Sequence, residues 1–198
     1  IPALIGEAEA LNAQVKDVLR ALLIGYEIIA KLAKCFKYEN LKLHGHASLA
    51  AIGAAAAIGT LRKHTPEMIF QAVNSASTLV NPGPFDHAVK GALIRNTWAG
   101  LAASNGLRAV DWVEMEVIAT ETSIYQIYKD IFGASCDPET LKYNLNETWE
   151  IEASYHKEHA CCQYSHSAVE AARNIIKNHG VLCVSNINSA TLETHWRG

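Results

Sequence analysis

No CxxC pair occurs in this sequence, and its cysteines number five, an odd count. That usage suggests neither a disulfide framework nor a zinc ribbon, and a reducing compartment fits it better. There is no basic stripe to hold nucleic acid and no block of like charge to meet a membrane surface; the formal net charge is only −3. The Ala-rich run at 49–58 is too short and too interrupted to span a bilayer. Asn146-Glu147-Thr148 matches a glycosylation triplet, but no secretory signal accompanies it. No internal repeat is evident. What is present is ordinary globular composition, 198 residues with 49% hydrophobic and 19% charged. That is enough chain for one core and a second small lobe.

The organising stretch is 43–61, LHGHASLAAIGAAAAIGTL, two histidines followed by an uncharged run. A helix apolar on every side belongs inside a helical domain. Ala50, Gly53, Ala54 and Ala57 are small enough for neighbouring backbones to come close, which compensates the roughly 1 kcal/mol that each helical glycine costs against alanine. His44 and His46 fall where this helix begins, among unpaired N–H groups that favour an anion. They read either as a catalytic arrangement or as an ordinary pair of loop histidines.

Around this centre the pattern is helical. A short amphipathic helix over 2–11 is broken at Leu11-Asn12-Ala13. Val15, Val18, Leu19, Leu22, Leu23 and Tyr26 then mark one face of a long helix running to about residue 34. Thr65-Pro66-Glu67 is a helix start, with Thr as N-cap and Pro in the first turn, and the helix runs to about Thr78. Asn81-Pro82-Gly83-Pro84 makes a stiff loop. Further helices are predicted over 91–112, with Arg95 inside, over 121–132, and just after Asp137-Pro138-Glu139. Near residue 149 the character changes. Residues 149–153 alternate with the strand period, a helix follows over 165–178, and 181–184 and 187–194 read as strands. The expected architecture is mainly α. A helical-bundle domain over 1–148 precedes the start of a small α+β lid domain over 149–198, with strands only after about residue 148. One hairpin and one helix do not make a stable sheet alone, so the lid reads as cut short.

Three places could carry chemistry. His44 is the first. Arg95, among the small apolar neighbours of ALIRNTWAGLAA, is the second: its guanidinium fork matches a substrate carboxylate, or else serves a structural ion pair. The third is 155–166, YHKEHACCQYSH, where Lys157 is either a carboxylate holder and acid–base group or a solvated turn lysine. His159, Cys162 and His166 offer three ligand types close together, but adjacent Cys161 and Cys162 suit tetrahedral geometry poorly; no metal is expected. No cysteine-protease context is recognisable either.

Five motifs in order resemble one family: IPALIGEAEA, ALLIGYEIIAKL, HGHASLAAIGAAAA, IRNTWAGLAASNG and YHKEHACCQYSHSAVEAA. Together they resemble MmgE/PrpD proteins, a family that includes 2-methylcitrate dehydratase, cis-aconitate decarboxylase and iminodisuccinate epimerase. The resemblance covers nearly the whole chain. It implies a helical domain with a smaller α+β lid, usually a homodimer, and a cofactor-independent active site between the lobes. The family histidine ahead of the Gly/Ala helix falls on His44, with His46 beside it as a substrate contact. The family lysine before the A-A-x-x-G tail falls on Arg95, a departure, as a substrate-binding cation. The lysine opening the lid falls on Lys157, catalytic with His44. The position five later, histidine in cis-aconitate decarboxylase, is Cys162, as in many dehydratase-like relatives. Family members are more than twice this length, and their N-terminal part adds an Asp and a His to the pocket, so this chain is expected to be a piece. The implied activity is that of a lyase removing water or CO2 from a small di- or tricarboxylate. An epimerase of the same fold and a non-catalytic paralogue serving as subunit or scaffold stay open beside it. A homo-oligomer or partner chain is expected, with neither nucleic acid nor membrane as partner, in the cytoplasm or mitochondrial matrix.

Overall fold

A computed structural model describes residues 1–40, 42–145, 147–180 and 183–193. The protein is mainly α. It forms two compact units, Ile1–Ala153 and Ser154–Gly198.

In the first unit, α1 (Pro2–Ala10) leads into the long amphipathic helix α2 (Val15–Cys35). The uncharged stretch forms a single turn, α3 (Gly45–Ser48), and then α4 (Ala50–Leu61). α5 (Pro66–Ser77) starts where the sequence places it, with the Thr65 hydroxyl accepting from the Met68 N–H at 3.3 Å. α6 (Asp86–Val89) and α7 (Arg95–Glu114) follow. α2, α5 and α7 all pack on α4, and Ala51, Ile52, Ala55, Ala56 and Ile58 of α4 are wholly excluded from solvent. The small residues do what their size suggests. At Gly25 on α2 a Cβ would lie 2.7 Å from the Gly53 carbonyl oxygen on α4, so the two backbones meet with no side chain between them. Ala50 and Ala54 remain only partly buried.

The helix expected within 43–61 is interrupted at Leu49, whose φ is −122°. The loop 81–84 explains the break. The His44 N–H donates to the Gly83 carbonyl at 2.9 Å and the Asn81 N–H to the Ala47 carbonyl at 3.0 Å, so the loop straps α3 and holds it off the α4 axis. A Cβ at Gly83 would meet Ala47 Cβ at 2.6 Å, leaving glycine as the residue that lets the strap pass. The Ser48 carbonyl, released by the break, accepts from the buried Tyr128 hydroxyl. Tyr128 lies in a π-helical turn, Gln126–Ile131, that continues α8 (Ser123–Tyr125).

Several sequence expectations are corrected. The helix placed over 91–112 begins at Arg95, because Gly91 takes φ +69° and closes the separate α6 turn. Strands are not confined to the region after 148: β1 (Phe36–Lys37) pairs antiparallel with β2 (Ser135–Cys136), Phe36 opposite Cys136. After α9 (Glu139–Lys142), the alternating residues 149–153 form a 3-10 turn, Glu150–Ala153. Among the described residues no neighbouring strand offers that segment a ladder. Instead the Glu150 N–H donates to a Glu27 carboxylate oxygen at 2.8 Å and its carboxylate pairs with Lys34.

The second unit contains α10 (His166–His179), closed by Gly180 at φ +78°. Residues 181 and 182 of the strand expected over 181–184 lie outside the described residues; Val184–Asn186 is a 3-10 turn and 187–193 are irregular. The second stretch expected as strand, 187–194, therefore forms none among its described residues. Among the described residues no helix is long and apolar enough to cross a membrane.

Candidate functional site

His44 sits where the strap of loop 81–84 meets the start of α3. Its Nδ1 accepts from the His46 N–H at 3.3 Å, so the ring itself occupies a donor that was expected to be open to an anion. This places the proton of the neutral imidazole on Nε2. The half-buried ring lies within an aromatic cluster: His46 edge-on at 4.8 Å, Phe85 stacked at 5.9 Å and the buried Trp98 at 5.6 Å between centroids. Burial, then the charges of His46 and Arg95, hold its pKa below the ordinary histidine value.

Arg95 is not internal to a helix as the sequence suggested. It is the first residue of α7, solvent-exposed, and forms no ion pair among the described residues. A cation at a helix N-terminus faces the positive end of the dipole, which disfavours it there without an anion. The structure thus brings His44 and His46 into contact and sets Arg95 near enough for its charge to act on His44.

Sequence reasoning missed three members of this cluster, Phe85, His87 and Trp98. His87 stacks on Trp98 at 5.8 Å, and its Nδ1 is buried with no hydrogen-bond partner in the described structure. The available signal was the rigid Pro82-Gly83-Pro84 loop, which fixes the direction of whatever follows it.

In the second unit, the exposed Lys157 donates from Nζ to the Cys161 carbonyl at 3.1 Å. Cys162 is exposed and precedes a 3-10 turn, Gln163–Ser165. Glu158, His159 and Glu170 each present a ligand atom within 4.8 Å of the others, a group that omits Cys162. His159 Nε2 lies 2.6 Å from Glu170 Oε1, and the His166 ring stands edge-on to it at 5.2 Å. That ion pair by itself accounts for the closeness of the imidazole to one carboxylate.

Comparison with known proteins gives one family. The profile of the MmgE/PrpD N-terminal domain matches residues 1–141, which include His44, His46 and Arg95 but neither Lys157 nor Cys162. A search of curated proteins finds no match.

Proposed function

The chain belongs to the MmgE/PrpD family, and from that premise we propose that it serves a cofactor-independent lyase acting on a small di- or tricarboxylic acid such as methylcitrate or cis-aconitate. The observation that carries this reading is His44, a half-buried imidazole with lowered pKa beside an unpaired arginine. Removal of water or CO2 passes through charge that spreads from a carbon onto an adjacent oxygen. A neutral imidazole donating from Nε2 stabilises that charge without competing for the proton. Arg95 takes a substrate carboxylate in its fork, and His46 adds a second polar contact. Lys157, as an acid–base group, and Cys162, as a substrate contact, enter this reading from the family resemblance and not from the geometry. A second copy of the chain is proposed as partner, because Val89, Leu93 (80% exposed) and Ile94 leave an apolar patch beside Arg95.

The test is an assay of the full chain against methylcitrate and cis-aconitate, with products identified so that epimerisation is seen as such. His44→Ala should lower kcat by about 10²–10³, the usual loss for one oxyanion donor. His44→Gln, which keeps a donor, should recover part of it. Full activity in His44→Ala and Arg95→Ala alike would take the chemistry away from this cluster, and no turnover of either acid by the parent chain would leave the scaffold reading in its place.

A further inference from the structure

We propose that the groove between α2 and α5 binds a carboxylate bearing an unbranched hydrocarbon chain. The site shares no residue with the His44 cluster and does not depend on the reading of that cluster. α2 and α5 both pack on α4, and the gap between them is a groove of about 890 Å³, within the range of small-molecule sites. Its walls are apolar: Ile24 and Ile28 from α2, Ile69, Phe70 and Val73 from α5, and Leu145. Phe70 and Leu145 are half-exposed, so the groove presents apolar surface to water.

The charge along the groove is uneven. Where Lys31 and Glu27 reach it, their charges are already met. Lys31 lies 3.9 Å from Glu27 and 3.6 Å from Glu150, and it donates to the Tyr143 carbonyl. At the other end stand Arg20, Lys63 and His64. Ala21 packs with Ala57 and Leu61, which brings the Arg20 end of α2 to the C-terminal end of α4. Neither Arg20 nor Lys63 forms an ion pair among the described residues. His64 is held through Nε2 by Glu114 at 2.9 Å, and its Nδ1 is buried without a hydrogen-bond partner among the described residues. One end therefore asks for an anion and the remainder for hydrocarbon. From Arg20 to Leu32 the α2 wall spans about 18 Å, which accommodates a chain of roughly ten to twelve carbons at normal C–C bond lengths.

Dodecanoate and dodecyltrimethylammonium below their micelle concentrations, and dodecanol below its solubility limit, are titrated calorimetrically into the full chain. The expected result is saturable 1:1 binding of dodecanoate, with the cationic amphiphile weaker by about tenfold or more, the scale of one good charge contact. Arg20→Gln with Lys63→Gln should weaken dodecanoate by a similar factor and leave dodecanol unchanged. Val73→Trp, which fills the groove, should abolish binding of both. Phe70→Glu, a change at a half-exposed wall whose folding is checked by circular dichroism, should do the same where the tryptophan variant fails to fold. Equal binding of the cationic and anionic amphiphiles, or no saturable binding of dodecanoate, overturns the proposal. So does a dimer, seen by light scattering, that Phe70→Glu dissociates while dodecanoate does not bind: a second copy then occupies the groove.

Discussion

Two glycines on one helix should respond in opposite directions to the same substitution. Gly106 and Gly100 both lie in α7. At Gly106 an added Cβ would stand 2.5 Å from the Ala51 carbonyl oxygen, 2.5 Å from Ala54 Cβ and 2.9 Å from the Ala55 N. Two of those atoms are backbone, so no side-chain rotation relieves the overlap and α7 must move off α4. Overpacking of this kind costs about 1–3 kcal/mol, and a clash with backbone belongs at the upper end. Replacing a helical glycine by alanine returns about 1 kcal/mol, leaving Gly106→Ala destabilised by about 2 kcal/mol. At Gly100 nothing lies within 4 Å of the new Cβ. Only the propensity and unfolded-state gains act there, and Gly100→Ala should stabilise by about 0.5–1 kcal/mol. At about 2–4 °C per kcal/mol for a chain of this size, the two Tm values should part by roughly 5–12 °C, on opposite sides of the parent. Urea unfolding followed by circular dichroism checks the same numbers at constant temperature. Equal shifts of one sign would refute close α7–α4 packing as the reason for Gly106.

Other consequences follow from the same contacts. His44 should titrate in NMR below the ordinary histidine value, and Arg95→Ala should raise its midpoint, since removing a neighbouring positive charge makes the imidazolium less costly; an unchanged or lower midpoint counts against their proximity. Tyr128→Phe should cost about 1–3 kcal/mol by leaving the Ser48 carbonyl unpaired. It should also raise amide exchange in α3 more than in α5; uniform exchange would deny the tyrosine its role at the helix break. Among the thiols, Cys35 is pushed up to about 11 by burial and then by its hydrogen bond to Cys136, with the sulfurs 3.7 Å apart, whereas the exposed Cys183 is lowered by its Ser185 hydrogen bond. Treated with a thiol reagent near pH 8, Cys183 should react early and Cys35 last, only as the chain unfolds; early labelling of Cys35 would contradict its burial. Arg62 is gripped by Glu7 and Asp111 at 2.7 Å and by Glu114 at 3.0 Å, so Arg62→Ala should cost roughly 3 kcal/mol by leaving carboxylates facing one another. A loss below 1 kcal/mol in urea titration would show these contacts to be solvent-screened.

The local sequence alone determined the helical nature of the protein and which stretch is its centre. The face repeated along 15–26, the Thr65-Pro66 start and the charge-free run at 50–61 each contain their own instruction. Periodicity, capping and the absence of charge act over a single turn or two. It also made His44 stand out, because a helix boundary is a local event. The tertiary structure decided what depends on partners distant in the chain. Whether residues 149–153 became a strand turned on the presence of a neighbouring ladder, and the backbone N–H of Glu150 found Glu27 instead. The break at Leu49 came from a strap more than thirty residues later, together with the hydroxyl of Tyr128. Arg95 moved from a helix interior to a helix start because Gly91 took a left-handed turn. Phe85, His87 and Trp98 joined His44 only because that strap crosses α3. Alternating or apolar residues state which faces seek burial; the long-range contacts choose which of them meet, since backbone hydrogen bonds and ring packing are satisfied by whatever the folded chain brings within reach.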